Sequence, residues 1–272
     1  LHSGHYDDGM SWYPENYQNM FTYDPATNLW TDKGVPKNPT ESSAVWDTRD
    51  KRLITYGGND TSQMTGIVYH NAIWAWNPTG GVWSYRTEGP GARAGHAAVW
   101  DPADNLMLVF GGHNNESYMN DLWSYDYTSN TWTNLTPSGN GPSARAYHSA
   151  VWDPSTRQMV ICGGIASSQA KNDLWFYNHN TNTWSQKANA PVSRYGHAAC
   201  WNPETNAMLI VAGRAGSQYF NDSYAYNPVL DSWFADTRLP AKPRGLTAAV
   251  FDPVRSQVIL NGGLDSATKQ FT

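Results

Sequence analysis

Apolar residues along this chain fall in short runs bounded by Gly, Pro, Asn and Asp, and residues 93–134 show the pattern best. His96-Ala-Ala-Val-Trp100 reads as a first strand that ends at Asp101-Pro102, a turn initiator. Leu106-Met-Leu-Val-Phe110 is a continuous apolar run, which predicts burial on both faces. It stops at Gly111-Gly112, where the backbone needs positive φ or close approach. Leu122-Trp-Ser-Tyr125 alternates as a third strand, turns from Asp126 to Asn130, and leads to a fourth strand carrying Trp132. The unit closes in a Gly/Pro-rich connection from Pro137 to Ser143.

The same unit recurs. Trp30, Trp83, Trp132, Trp184 and Trp233 are spaced by 53, 49, 52 and 49 residues. Glycine pairs keep that period: Gly57-Gly58, Gly111-Gly112, Gly163-Gly164, the degenerate Ala212-Gly213, and Gly262-Gly263. Between pair and tryptophan stands a third marker, Asn120-Asp121-Leu122-Trp123 or Asn172-Asp173-Leu174-Trp175, with variants from Asn71 and Asn221. Four antiparallel strands repeated around an axis make an all-β propeller. Alanine recurs at one first-strand position (Ala44, Ala98, Ala150, Ala199, Ala249), as expected where blades crowd near the axis.

The order Arg-x-x-His, apolar strand, Gly-Gly, Asn-Asp-Leu-Trp-x-Tyr-Asp, Trp resembles the kelch repeat over essentially the whole chain. It departs at Pro39 and Ser42, which replace Arg and His, at Thr247 for His, and at Ala212 for Gly. The expectation is one kelch-type β-propeller domain over 1–272, with repeats at 39–92, 93–143, 144–192 and 193–242 and a composite of 243–272 with 1–38. Five blades would then close with the termini sharing one, whereas a segment of a longer chain would belong to a ring of six or seven. Such folds host both binding and catalysis, so fold alone does not name the function.

Composition narrows the classes. The chain has 272 residues with 14 Trp, 16 Tyr, 23 Gly and 16 Pro, and a net charge of −5. The acidic balance argues against a nucleic-acid partner, and no apolar run approaches the roughly 18 residues of a membrane helix. Two cysteines, Cys162 and Cys200, make neither a disulfide framework nor a zinc cluster. The Lys-poor, Asn/Trp/Thr-rich composition points to an extracellular setting.

Strand polarity places the starts of the first strands, the diglycine pairs and the length-variable loops on one face, where binding is expected. Arg93, Arg145, Arg194 and Arg244 open four first strands and would ring the channel mouth. Converging guanidinium groups suit an acidic protein or peptide, while the competing reading has each arginine bonding carbonyls of a neighbouring blade. The kelch resemblance also implies peptide partners on this face. His96, His148 and His197 belong to the repeat itself and read as structural, not as a metal site. Trp12 and Tyr13 match no repeat position, and with Tyr118 they offer stacking platforms for a glycan.

Enzyme readings rest on the wider superfamily. The resemblance to galactose oxidase would require tyrosines, histidines and a Tyr–Cys crosslink at copper. Tyr147-His148 and Tyr69-His70 are Tyr-His pairs, but Cys162 and Cys200 replace ordinary apolar strand residues. The expectation is therefore a non-enzymatic binding or scaffold module without cofactor, with a protein or peptide as first partner and a glycan as second. A metal-dependent oxidase comes third.

Overall fold

The computed structural model describes residues 5–6, 15–16, 20–24, 26–33, 40–62, 66–236 and 242–265, and no helix occurs among them. Four four-stranded antiparallel sheets are complete. Blade one contains Ser43–Asp47, Arg52–Tyr56, Ala72–Asn77 and Val82–Glu88. Blade two contains Ala97–Asp101, Leu106–Phe110, Leu122–Asp126 and Thr131–Asn134. Blade three contains Ser149–Asp153, Gln158–Cys162, Leu174–Asn178 and Thr183–Lys187. Blade four contains Ala198–Asn202, Ala207–Val211, Ser223–Asn227 and Ser232–Asp236. Two further hairpins, Phe21–Asp24 with Leu29–Asp32 and Ala248–Asp252 with Gln257–Asn261, are each a two-stranded sheet of their own.

The core lies between blades. Met107, Leu108, Val109 and Phe110 are all fully buried, as a two-sided apolar strand requires. Alternate residues then face opposite neighbours: Met107 and Val109 pack with Val45, Ile54 and Ile73 of blade one, and Leu108 and Phe110 with Met159 and Ile161 of blade three. Each such side chain contributes about 1.5–3 kcal/mol by leaving water. Ala98 packs into the blade one–two cluster and Ala249 into the cluster of blade four, so the recurrent alanine sits where one blade approaches the blade before it. The ruler tryptophans span the same gaps. Trp132 lies 5.1 Å from Tyr125 in its own blade and 4.8 Å from Tyr56 in blade one. Trp184 does the same with Tyr177 at 5.1 Å and Phe110 at 5.2 Å.

The turns between first and second strands, on the far face, are closed by side chains. Asp101 Oδ1 accepts the N–H groups of Ala103 and Asp104, and Asp47, Asp153, Asn202 and Asp252 repeat the arrangement. On the near face, four isolated bridges join the start of each first strand to its own variable loop: Thr40 to Asn59, Ala94 to His113, Ala146 to Ile165 and Tyr195 to Arg214. Starts of first strands and variable loops therefore share one face, as strand polarity predicts.

Candidate functional site

The arginines come first, because strand polarity puts them at the mouth. Each binds through its backbone to the blade before it. Arg145 N donates to Met119 O at 3.0 Å, and Gly112 N donates to Arg145 O at 2.8 Å. Arg93, Arg194 and Arg244 repeat both bonds with blades one, three and four. The side chain then turns back into its own blade. Arg93 donates to both oxygens of Asp121 at 2.7 and 2.8 Å, Arg145 to both of Asp173 at 2.7 Å, and Arg194 to both of Asp222 at 2.6 and 3.1 Å. Nη1 also reaches the carbonyl of Gly111, Gly163 or Ala212.

These are bidentate ion pairs between a buried guanidinium and a partly buried carboxylate. Burial alone would raise the Asp121 and Asp173 carboxyls. The hydrogen bonds and charge of Arg93 and Arg145, with the indole N–H groups of Trp123 and Trp175, outweigh it and hold both below the usual carboxylate range. Arg93, Arg145 and Arg194 are at most 2% exposed. The expectation of a guanidinium ring open to an acidic partner is corrected for these three: their charge is already matched beneath the surface. Arg244 keeps the backbone bonds and reaches Gly262 O at 3.3 Å. Blade one has Pro39 at the arginine position and Ala72 at the aspartate position, so it lacks both members of the pair.

The histidines fill the gap that the glycines leave. A Cβ on Gly111, whose φ is +66°, would stand 2.8 Å from Arg145 O and 3.1 Å from His148 Cε1. His96 Nε2 meets Ser43 Oγ of blade one at 2.8 Å, and His197 Nε2 meets Ser149 Oγ of blade three at 2.8 Å. His148 faces Ala97 at the corresponding position, where no hydroxyl is available. Burial, then the charge of the adjacent arginine, pushes His96, His148 and His197 each down to about 3. They are neutral wedges between blades.

Next to this layer, successive blades are joined by a run of backbone hydrogen bonds. Gly95 N donates to Glu41 O, Tyr147 N to Gly95 O, Gly196 N to Tyr147 O and Leu246 N to Gly196 O, at 2.6–3.1 Å. All five residues are left-handed, with φ of 54–62°. Each directly precedes the repeat histidine or its replacement, so the run belongs to the repeat while its side chains do not: Glu, Gly, Tyr, Gly, Leu. A Cβ on Gly95 would come within 3.2 Å of the Tyr147 ring. That glycine makes room for the tyrosine next to it.

Glu41 and Tyr147 anchor a polar aromatic cluster drawn from three blades. Glu41 Oε2 accepts from Tyr147 Oη at 2.8 Å and from Asn59 Nδ2 at 2.9 Å. His113 Nε2 lies 3.0 Å from Tyr147 Oη, and its Nδ1 lies 3.4 Å from Tyr69 Oη. A carboxylate only accepts, so Tyr147 gives its proton to Glu41. In the His113 tautomer with its hydrogen on Nε2, that N–H donates to Tyr147 and Tyr69 O–H donates to His113 Nδ1. The Tyr118 ring is 5.9 Å from His113, and Tyr195 is 6.5 Å from Tyr147. Burial, reinforced by the Glu41 charge, pushes the Tyr147 phenol far above its ordinary range. Beyond Tyr195, Arg214 lies over the rings of Tyr195 and Tyr219 and donates to Tyr219 Oη at 3.0 Å.

Of the expected binding residues, Tyr118 joins this cluster, the arginines lie beneath it, and Trp12 and Tyr13 lie outside the described residues. Tyr147 and His148 part company, one at the mouth and one between blades. Cys162 is buried with Leu174 and Met208, and burial pushes its thiol up to about 12. The copper-type ligand set is thus not assembled around the Tyr147-His148 pair. On the opposite face Asp101, Asp104 and His179 have donor atoms within 4.8 Å of one another, the grouping best able to hold a metal among the described residues. Arg157 approaches Asp104 there at 3.6 Å and Asp101 already closes its turn, so a cation would compete with both.

Comparison with known proteins agrees with the architecture. The solved structure of YjhT superposes with a TM-score of 0.72 over 90% of this chain and 83% of its own, at 15% identity, which is a likeness of fold. Kelch domain-containing protein 1 of Homo sapiens is 26% identical over 210 residues, covering 67% of this chain and 50% of its own. Kelch domain-containing protein 2 of Bos taurus is 29% identical over 173 residues, covering 56% and 42%. The chain thus spans half or less of these two curated relatives. The KLHDC2/KLHL20/DRC7 Kelch-repeats domain matches residues 84–263, more than half of the chain. With blades, diglycine turns and Arg–Asp fastenings all in the order of the repeat, the chain belongs to this kelch-repeat family.

Proposed function

We propose that this chain is a protein-binding scaffold whose recognition surface is the channel mouth bearing Glu41, Tyr69, His113, Tyr118 and Tyr147. Kelch-repeat domains generally act as protein-interaction scaffolds, which supports the class. One observation supports the location. The regular run of left-handed residues at 41, 95, 147, 196 and 246 carries side chains outside the repeat pattern, set over a layer in which Arg93, Arg145 and Arg194 are already paired with carboxylates. Rigid backbone beneath individual side chains is the arrangement recognition needs.

The test compares two variants as capture baits from the native source. One carries Glu41→Lys with Tyr147→Ser. The other carries Val229→Ser with Val254→Ser in exposed turns of the opposite face. A partner held by wild type and by the turn variant, but lost by the mouth variant, supports the reading. Hydrogen exchange should then show protection near residues 41, 113 and 147. A partner retained by the mouth variant overturns the location. The glycan reading keeps Tyr118 as its one described residue, and binding of wild type to a glycan array would favour it over a protein partner.

A further inference from the structure

We propose that the Glu41–Tyr69–His113–Tyr118–Tyr147 cluster recognises an organic ammonium ion, presented as the lysine side chain of a partner peptide. This deepens the scaffold reading and rests on it for the source of the cation.

Charge sets the sign of the ligand. Glu41 is a partly buried carboxylate, its side chain 30% exposed. Its partners are neutral donors, Asn59 and Tyr147, with His113 Nε2 at 3.7 Å. Among the described residues no lysine or arginine lies within ion-pair distance of it. The arginines of the neighbouring blades, Arg93 and Arg145, are committed to Asp121 and Asp173. Asp60 adds a second carboxylate to the rim, held 3.0 Å from His70 Nε2. With the neutral forms of His113 and His70, the charge offered to a ligand at this corner is negative, the reverse of the acid-binding ring that the arginines suggest from sequence.

Proton direction gives the same answer. In the Nε2–H tautomer of His113, Tyr69 donates to His113, His113 to Tyr147 and Tyr147 to Glu41, so the protons along this chain point toward the carboxylate. Glu41 Oε2 takes both donors, which leaves Oε1 and the lone pairs of Tyr69 Oη as acceptors for an incoming N–H. The rings supply the rest. Three tyrosine rings surround His113, with centres 5.3, 5.5 and 5.9 Å away for Tyr147, Tyr69 and Tyr118, and Tyr147 bonds the Glu41 carboxylate directly. Ring faces attract an ammonium in the same sense as the carboxylate does. A hard metal ion is a poor match, because Ca²⁺ wants six to eight oxygen ligands and Mg²⁺ a strict octahedron. An alkylammonium needs one carboxylate and a few π faces.

The measurement is NMR of the His113 imidazole, assigned with His113→Gln, during titration of the intact protein. The probes are a capped Gly-Lys-Gly tripeptide, the same tripeptide acetylated at Nζ, propylammonium and acetate. The expected result is a saturable His113 shift with the lysine tripeptide at millimolar affinity, and none with the acetylated tripeptide or acetate. Glu41→Gln, checked for an unchanged fold by its thermal midpoint, should weaken binding at least about fivefold. Tyr147→Phe, which keeps the ring, should retain most of it. Equal shifts from the acetylated tripeptide, or wild-type affinity in Glu41→Gln, would overturn the site. Propylammonium binding as tightly as the tripeptide would overturn the peptide as source. If the mouth variant loses its protein partner while the ammonium titration is flat, this inference fails and the scaffold reading stands. A positive titration with partner capture unaffected leaves the ammonium site standing and overturns the mouth as the scaffold surface.

Discussion

Two layers of the same face are both built around carboxylates and histidines and do opposite things. In the lower layer, Arg93, Arg145 and Arg194 meet Asp121, Asp173 and Asp222 in repeated bidentate pairs, with the histidines packed beside them. In the upper layer, Glu41, His113 and Tyr147 make contacts that occur once. The lower layer commits its guanidinium groups to carboxylates within each blade, while the arginine backbones and two of the histidines bond blade to blade. The upper layer keeps an acceptor free. A polar residue that recurs with the blade period is solving a problem every blade has, whereas one that breaks the period is available for a problem the whole protein has.

The largest test of this contrast is acid. His96, His148 and His197 stay neutral in the fold down to about pH 3, while in the unfolded chain each takes a proton near 6.5. Between those values the unfolded state binds more protons, so stability is full above pH 6.5 and falls as the pH drops toward 3. At pH 5 the loss is about 2 kcal/mol per histidine, roughly 6 kcal/mol for three independent sites. Asp121 and Asp173, held low, add their loss only as the pH falls below about 4. Urea midpoints at pH 7.5 and 5 measure this. A flat profile between them would mean that the histidines are not buried wedges.

Next comes the ion pair itself. Arg145→Ala leaves the Asp173 carboxylate without its partner at a buried site, at a cost of about 3–5 kcal/mol. In a domain of this size that lowers the thermal midpoint by roughly 10 °C. Arg145→Met with Asp173→Leu should recover most of the loss, since two apolar groups leave no orphaned charge. An Arg145→Ala protein that melts with wild type would return the arginines to the role the sequence first suggested.

How much of this was legible in the chain follows from where each signal lies. Blade strands and turns are local, so the apolar run at 106–110 and the diglycines can be read directly. The arginines were misplaced because Arg-x-x-His and Asn-Asp-Leu-Trp read as separate markers. The pairing was nevertheless present in the constant offset of 28 residues from Arg93 to Asp121, Arg145 to Asp173 and Arg194 to Asp222. The joint replacement by Pro39 and Ala72 in the first repeat carried it too. The mouth was harder. Tyr147 and Glu41 are 106 residues apart, and their meeting depends on blade rotation that no local pattern encodes. What could have pointed there is the residue before each repeat histidine or its replacement, which varies from Glu41 to Leu246 inside an otherwise regular motif.

That regularity has one flaw that can be repaired. Ala97 stands where blades one and three supply Ser43 and Ser149 to the next histidine. Ala97→Ser would give His148 the same bond, inside a fold that already accommodates it twice. The expected gain is about 1 kcal/mol, seen as a rise of a few degrees in the thermal midpoint. A loss of stability would show that the blade two–three gap is too tight for the hydroxyl, and that the equivalence of the three histidines stops at their backbone.

The finest test sets one pair from each layer against the other. A double-mutant cycle on Arg145 and Asp173 measures a bidentate coupling to a fully buried guanidinium, and should return about 2–3 kcal/mol. The same cycle on Glu41→Gln and Tyr147→Phe measures a hydrogen bond whose acceptor is still in contact with solvent, and should return under about 1 kcal/mol. Neither mouth substitution should disturb the run of backbone bonds through residues 41, 95 and 147, because that run rests on left-handed φ and not on side chains. Near-equal couplings would mean that the Glu41–Tyr147 contact is one more fastening of the propeller. A weak coupling, joined to an intact fold, would leave the carboxylate with most of its interaction energy unused within the fold and directed at whatever enters the mouth.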